Sequence, residues 1–431
     1  MKKVLISAYA CVPGLGSEEG NGWYYSTIVS QTNHQVWCLT RSCNRAAVDK
    51  RLLETPFPNL NFVYVNTPDW VEKVYFWGLI GMYFHYLYWQ WAALKTARPL
   101  NEVHQFDVVH HVSYGSLQLG SLLYKLNRPF IFGPIGGGQE APSSLRHYFK
   151  GHWKKEQMRT MISELLLRFN PGCFKAVRRA KHVLVWNKDT RRKVEWLGRT
   201  ENVTSEFSGI SQAFIPQTPI VHPPGPVLQL VWVGRLMPRK ALELTLHGLS
   251  KVDSRLPIQF TIVGDGEMGQ YVPEYLETYN LKDRVHWAGK VGYEQVKAFY
   301  RQADVFFFTS LRDTGPAQLM EAMAYSLPVV TLDMHGQAEL VNESTGIRVA
   351  VTDRETVATN LGKAIEWMYY HPEERLTMGA NAYEFASKQA WEVKIRRMVK
   401  TYYGTSDQLQ EKSDSQVGTS TEMISDRKIN P

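Results

Sequence analysis

The sequence predicts an α/β protein of two Rossmann-like, doubly wound domains in tandem, facing each other across a cleft. Three observations predict it. The chain has 431 residues, more than one ordinary domain holds. Short runs of Val, Ile, Leu and Phe recur along it, separated by stretches of helical length. They are nearly continuous rather than alternating, which marks strands buried on both faces and joined by crossover helices. Finally, the train of runs stops at one proline-rich stretch and then restarts.

In order, the first train is "KKVLISAY", "HQVWCLT", "NFVYVN", "FDVVHHV", "PFIFGPI" and "KHVLVWN". The stretch "SQAFIPQTPIVHPPGPV" carries five prolines and little charge, and residues 213–227 read as a linker. The second train is "LQLVWVGRL", "IQFTIVGDG", "VHWAGKV", "DVFFFTS", "LPVVTLD" and "GIRVAV". The expected domains are therefore 1–212 and 228–390. A helix over 391–403 is expected to return to the first domain. The tail 404–431, rich in Ser, Gln, Asp, Lys and Thr, is expected to be disordered.

A hydrophobic content of 44% suffices for two cores, and a net charge of +8 favours anionic partners. Four cysteines, Cys11, Cys38, Cys43 and Cys173, show no metal-binding spacing and no disulfide framework, which suits a cytoplasmic setting. The first apolar stretch is short and reads as a strand, not a leader. Val74 to Leu94 lacks Asp, Glu, Lys and Arg over about 20 residues, the length of a membrane span. Its Tyr and Trp content instead suits a buried or interface-facing helix. Leu145 to Arg159 interleaves Arg146, Lys150, Lys154, Lys155 and Arg159 with Tyr148, Phe149 and Trp153, a pattern fitted to an anionic membrane surface. No nucleic-acid motif accompanies the charge, so nucleic acid is not an expected partner.

Parallel sheets bind ligands beyond the carboxyl ends of their strands. In the second train, Gly234 ends a strand, and Arg235 and Lys240 follow as cations able to clamp a diphosphate. Gly264 and Gly266 flank Asp265 at the next strand end. Gly289, Lys290 and Val291 sit where backbone groups meet a flat heterocycle. In "LRDTGPAQLMEAMA", Gly315 precedes a helix whose first turn holds Pro316. The amides of Ala317, Gln318 and Leu319 at that helix start attract phosphate. Glu321 lies where its carboxylate accepts from ribose hydroxyls, and Asp313 where it holds a second sugar. Together these residues fit a nucleoside diphosphate sugar.

From about Leu228 to Val349, in order and spacing, these motifs resemble the nucleotide-sugar half of family 4 retaining glycosyltransferases of the GT-B fold, the glycosyl transferases group 1. The resemblance implies that Arg235, Lys240 and Asp313 act at the reaction centre and that Glu321 and Glu339 bind the donor. This sequence has Asp-x7-Glu where the family has Glu-x7-Glu, one methylene shorter at Asp313. It also implies a glycine loop after the first strand that approaches the donor. "PGLGSEEGNGW" supplies Gly16 for that role, with Ser17 and Glu18 as acceptor-side candidates. Read alone, the loop's Gly14-x-Gly16-x-x-x-Gly20 lacks a dinucleotide fingerprint's third glycine. "FDVVHHVSYG" offers His110 as an acceptor-side candidate and His111 as a catalytic one. "FIFGPIGGGQEAP" offers Gly136, where a ligand can approach bare backbone.

The expected reaction moves a sugar from the nucleotide donor to a saccharide or lipid-linked saccharide, as in surface or exopolysaccharide synthesis. Retention is implied by the resemblance alone. The chain has no Asp-x-Asp, so no metal and no cofactor are expected; cations would neutralise the leaving diphosphate as an oxocarbenium-like state forms. A noncatalytic carbohydrate- or nucleotide-binding protein of the same fold is the alternative.

Overall fold

A computed structural model describes residues 1–14 and 17–404, without the Ser17 side chain. The expectations for Gly16, for the Ser17 side chain and for the tail 405–431 therefore lie outside the described residues.

The first sheet has seven parallel strands: β1 (Lys2–Ala8), β2 (His34–Arg41), β3 (Leu60–Val65), β4 (Val108–Ser113), β5 (Phe130–Ile135), β6 (His182–Val185) and β7 (Val203–Ser205). Their order is β3-β2-β1-β4-β5-β6-β7. The second sheet has six: β8 (Leu228–Val233), β9 (Ile258–Val263), β10 (Val285–Gly289), β11 (Val305–Phe308), β12 (Val329–Leu332) and β13 (Gly346–Val349), in the order β10-β9-β8-β11-β12-β13. All twelve expected strands form. The thirteenth, β7, has only three residues and one buried side chain, too little apolar signal to be read from sequence. Every residue of β4, β5, β11 and β12 is buried, as continuous apolar runs demand.

Strand order reverses between β1 and β4 in one sheet and between β8 and β11 in the other. These are the switch points beyond which α/β sheets bind ligands. The loops leaving β8 and β11 there carry Gly234 to Lys240 and Thr309 to Pro316.

Two features tie the domains together more closely than a free linker would. Phe214 is buried in the second core, and the chain after it is pinned by Ile220 N–H on Ser326 Oγ (3.0 Å) and His222 Nε2 on the Tyr325 carbonyl (2.8 Å). The stretch expected as a linker thus runs along the second domain. Further on, Ile210 bridges to Ala390, and the helix Trp391–Met398 packs on the first domain, with Trp391 stacked on Tyr24 at 5.7 Å between ring centres. Lys394 pairs with Glu206 at 3.1 Å there, and burial lowers its ammonium to about 8.

The helix Gly78–His104 contains most of the uncharged aromatic stretch. One face, with Gly81, His85, Trp89 and Ala93, is buried, whereas Trp77, Ile80, Phe84, Leu87 and Trp91 are exposed. No described helix is long and apolar enough to cross a membrane. The basic segment is only partly at the surface. Tyr148 and Phe149 are buried in the second core, with Tyr148 Oη 2.8 Å from His247 Nδ1. Lys150 pairs with Glu274 at 2.6 Å, and Arg159 faces an internal cavity; only Arg146, Lys154 and Lys155 of its cations are exposed.

Candidate functional site

The loop after β8 closes in a 3-10 turn, Pro238–Lys240, and Ala241 follows with φ +47°. That reversal drives Lys240 inward, to 4% exposure, against the loop after β11. Lys240 Nζ donates to Asp313 Oδ2 at 2.5 Å, and Arg239 Nη1 reaches the same oxygen at 3.1 Å. Burial works against the Asp313 charge, but Lys240 and then Arg239 outweigh it and hold its carboxyl below the usual range. Two cations and one carboxylate leave this cluster a net positive charge. Its second cation is Arg239, which sequence reasoning passed over although it adjoins Lys240.

Arg235 lies elsewhere. It is exposed at a cleft of about 530 Å³, lined also by Gly234, Gly264, Lys290 and Val291 at the ends of β8, β9 and β10. Arg235 and Lys240 are therefore not a symmetrical clamp: one is at a cleft mouth, the other is buried on Asp313. Gly264 has φ +134°, and a Cβ there would stand 1.9 Å from the Gly234 carbonyl oxygen. Gly289 accepts from the Gly264 N–H at 2.8 Å. Gly234, Gly264 and Gly266 let bare backbone form the cleft floor, with Val233, Val263 and Val291 as apolar wall.

The helix Ala317–Ala324 starts one residue later than expected, with Pro316 in the capping position before it. Leu319 N–H already serves the Pro316 carbonyl at 3.1 Å, so it is not the free donor that was expected. Glu321, one turn in, accepts from Tyr300 Oη at 3.2 Å and Tyr293 Oη at 3.3 Å. Burial raises its carboxyl to about 7, against the pull of both tyrosines. A cavity of about 190 Å³ joins Glu321 and Ala317 to Gly14, Tyr24 and Ser211.

A third cavity, about 300 Å³, lies between the domains. Asp313, Gly315 and Ala317 face it from one side and Glu18, Asn21 and Gly136 from the other. Glu18 sits in the first turn of the helix Ser17–Ser30 and accepts from the Gly115 N–H at 2.7 Å. Burial raises its carboxyl to about 7; Gly115 opposes that and Glu19 adds to it. A Cβ on Gly136 would stand 2.4 Å from Thr314 Cγ2, so this glycine lets the second domain approach. Gln139 Nε2 and Asn187 Nδ2 then hold Thr314, at 2.5 and 2.8 Å.

Three expectations are corrected here. His110 is fully buried, with Nδ1 at Tyr403 Oη (2.8 Å) and Nε2 at the Gly133 carbonyl (2.6 Å). His111 is equally buried, with Nδ1 at Ser7 Oγ (3.2 Å) and Nε2 at Tyr86 Oη and the Tyr114 carbonyl (both 3.1 Å). Burial lowers them to about 3 and about 4, so both stay neutral. β4 is covered on both faces, and its histidines bind the core together instead of facing substrate. Glu339 turns to the first domain, where Oε1 accepts from the Lys188 N–H, beside His335 bonded to Asp189 at 2.7 Å. Among the described residues no group of three His, Cys, Asp or Glu side chains could hold a metal ion.

The family model for glycosyl transferases group 1 matches residues 221–385. The chain is 25% identical over 303 residues to the putative colanic acid biosynthesis glycosyltransferase WcaL of Salmonella typhimurium, covering 64% of this chain and 72% of that protein. It is 29% identical over 171 residues to a GDP-mannose-dependent alpha-mannosyltransferase of Corynebacterium glutamicum, covering 40% of this chain and 38% of that one. Several other relatives are likewise matched over less than half their length. Among solved structures, Anabaena Alr3699/HepE in complex with UDP and glucose superposes with a TM-score of 0.57 at 17% identity, over 96% of this chain and 100% of that one. The architecture is thus GT-B, two parallel-sheet α/β domains around a cleft. Within it, residues 221–385 are similar to the glycosyl transferases group 1.

Proposed function

We propose that the chain is a retaining, metal-independent glycosyltransferase that moves a hexose from a nucleoside diphosphate sugar to a saccharide or lipid-linked saccharide acceptor. The carrying observation is the placing of a valine-walled, glycine-floored cleft next to the charged loops after β8 and β11, which open on an interdomain cavity. The base lies in the cleft near Gly264, Gly289 and Val291, with Arg235 at its mouth. Glu321 takes the ribose hydroxyls, and the helix start at Ala317 faces the diphosphate. The sugar projects into the interdomain cavity beside Asp313.

As the bond from the anomeric carbon to the diphosphate oxygen breaks, negative charge grows on that oxygen. The Lys240–Arg239–Asp313 cluster keeps a net positive charge beside it, already oriented. The acceptor oxygen bonds to the anomeric carbon on the same face, and its proton passes to the departing phosphate. Glu18, on the opposite wall, orients an acceptor hydroxyl. A role in surface or exopolysaccharide assembly at the cytoplasmic membrane face follows the first relative's printed name and the exposed aromatic helix.

A panel of nucleotide sugars tests this, read by thermal shift and by nucleotide release with and without saccharide acceptors. The matching donor at 100 times its Kd stabilises the fold by about 2.7 kcal/mol. It is also turned over, equally well in EDTA. Stabilisation without turnover on any acceptor would favour the noncatalytic alternative. Loss of turnover in EDTA, restored by Mg²⁺, would overturn metal independence.

A further inference from the structure

The interdomain cavity has polar groups to which the donor reading above assigns no role. The Asn21 side chain is 5% exposed and lines it, yet its Oδ1 has no hydrogen-bond partner among the described residues. Arg312 is 4% exposed. Its Nη1 pairs with Glu156, but its Nε has no partner among the described residues. Arg159, from the helix Trp153–Phe169, lines the cavity between them. Its Nε is also without a partner, and it forms no ion pair among the described residues. Burial, then the nearby Arg312 guanidinium, pulls Arg159 below the usual range, and Glu156 only partly compensates.

Three guanidiniums, Arg159, Arg239 and Arg312, therefore face one cavity. The neighbouring carboxylates are committed: Asp313 to Lys240 and Arg239, and Glu156 to Arg312. Glu18, Tyr83 and Tyr114 complete the titratable lining. Arg159 is half-buried, and a charge drawn out of water without a partner is unfavourable unless something supplies the opposite charge. The cleft assigned to the base shares no lining residue with this cavity. Arg159 also lines a smaller cavity with Phe149, Lys155, Pro238 and Glu267, on the acceptor-side helix and on the loops after β8 and β9.

We propose that Arg159, with Arg312, receives an anionic group of the acceptor, while Asn21 and Glu18 take hydroxyls of the same sugar. The planar fork of a guanidinium matches the paired oxygens of a carboxylate or phosphate. The acceptor is then an acidic saccharide, carrying either a uronic carboxylate or a phosphate. This rests on the glycosyl-transfer reading and narrows its acceptor class.

The test is calorimetric titration of the full chain with methyl glucuronide, glucose 1-phosphate and methyl glucoside, in the presence and absence of the nucleotide that stabilises it. At least one charged probe binds about tenfold tighter than methyl glucoside, and which one it is separates carboxylate from phosphate. Arg159→Gln abolishes the preference, Arg159→Lys keeps part of it, and nucleotide affinity stays the same in both. Equal binding of all three probes, no binding of a charged probe, or an unchanged preference in Arg159→Gln overturns the proposal. So does displacement of the charged probe by nucleotide, which would assign Arg159 to the donor diphosphate. Absence of nucleotide binding would count against glycosyl transfer itself, while the probe preference is still read from the titrations without nucleotide.

Discussion

Asp313 is held by two cations in a nearly closed pocket, and this separates the consequences of changing each charge. Lys240→Ala strips a buried partner, so it should destabilise the fold by about 3 kcal/mol and lower kcat as well. Arg235→Ala, at an exposed cleft mouth, should raise the donor KM with little change in melting temperature. A variant pair with equal melting and kinetic losses would contradict the asymmetry seen here. Glu321 gives a pH signature. Its folded carboxyl keeps the proton to about 7, whereas the unfolded chain loses it near the ordinary 4.5. The folded state thus holds more protons between these values, and this contribution to stability, complete below 4.5, is lost as pH rises through 7. Donor binding runs the other way, because only the carboxylate accepts from two ribose hydroxyls. Donor affinity should rise as pH climbs through about 7, and Glu321→Gln should flatten the profile. At this scale, what was legible was chemistry carried by nearby residues: Lys240 and Asp313 sit in strand-end loops, and Glu321 in the helix that follows one of them. The Gly115 N–H on Glu18 comes from 97 residues away, and no local pattern encodes it. The histidines of β4 were misread against a visible signal, since the unbroken run "FDVVHHV" already implied burial on both faces.

Among the elements, the parallel strands were legible because burial on both faces leaves an uninterrupted apolar run. Their packing partners were not. The segment around Tyr148 and Phe149 reads as amphipathic and basic, yet its aromatics enter the second domain's core. The proline-rich stretch lacks periodicity, and nothing in it tells that Phe214 is a core residue. Gly136 shows the same limit: a glycine run suggests close approach, but only the fold names Thr314 as what approaches. That contact gives a prediction. Gly136→Val places branched carbon where Thr314 Cγ2 lies, so the two domains must separate locally. The cleft proposed for the nucleotide is lined wholly by the second domain and should keep its affinity. Turnover, which needs both walls of the interdomain cavity, should fall by roughly 2 kcal/mol of barrier or more, since a misplacement of about 1 Å costs on the order of 10²-fold. Retained kcat with weakened nucleotide binding would show that Gly136 serves the donor and not the approach of the domains.

Across the whole molecule, one surface is out of keeping with a protein wholly surrounded by water. Trp77, at the cap of the helix Gly78–His104, and Ile80, Phe84, Leu87 and Trp91 on its solvent side recur every three or four residues, with Phe76 82% and Trp77 74% exposed. Trp70 packs beside them, 5.9 Å from Phe84 between ring centres. On the helix Trp153–Phe169, Met158, Met161, Leu165 and Phe169 are exposed as well. A patch of this kind marks an interaction site. Its aromatic character and the exposed cations on the same segments, Lys73, Lys95, Lys154 and Lys155, suit the headgroup level of an anionic bilayer. Lys95 already lies over the Trp91 ring, 5.7 Å from its centre, with its charge at the rim. Both helices also line the interdomain cavity, through Leu79, Met82 and Tyr83 on one and Arg159 and Ser163 on the other. A bilayer on their outer faces would therefore meet the acceptor side of the cleft. Flotation with liposomes reads this directly. Recovery should rise with anionic lipid and fall with salt, because the headgroup attraction is screened within a Debye length. Trp77→Ser with Phe84→Ser should abolish it at any salt, whereas Lys154→Glu with Lys155→Glu should remove only its dependence on anionic lipid. Equal recovery on neutral and anionic vesicles would leave the aromatic stripe as the sole anchor. No recovery on either, together with a dimer in solution that Trp77→Ser and Phe84→Ser dissociate, would give the stripe to a second copy of the chain and the cleft to a soluble acceptor.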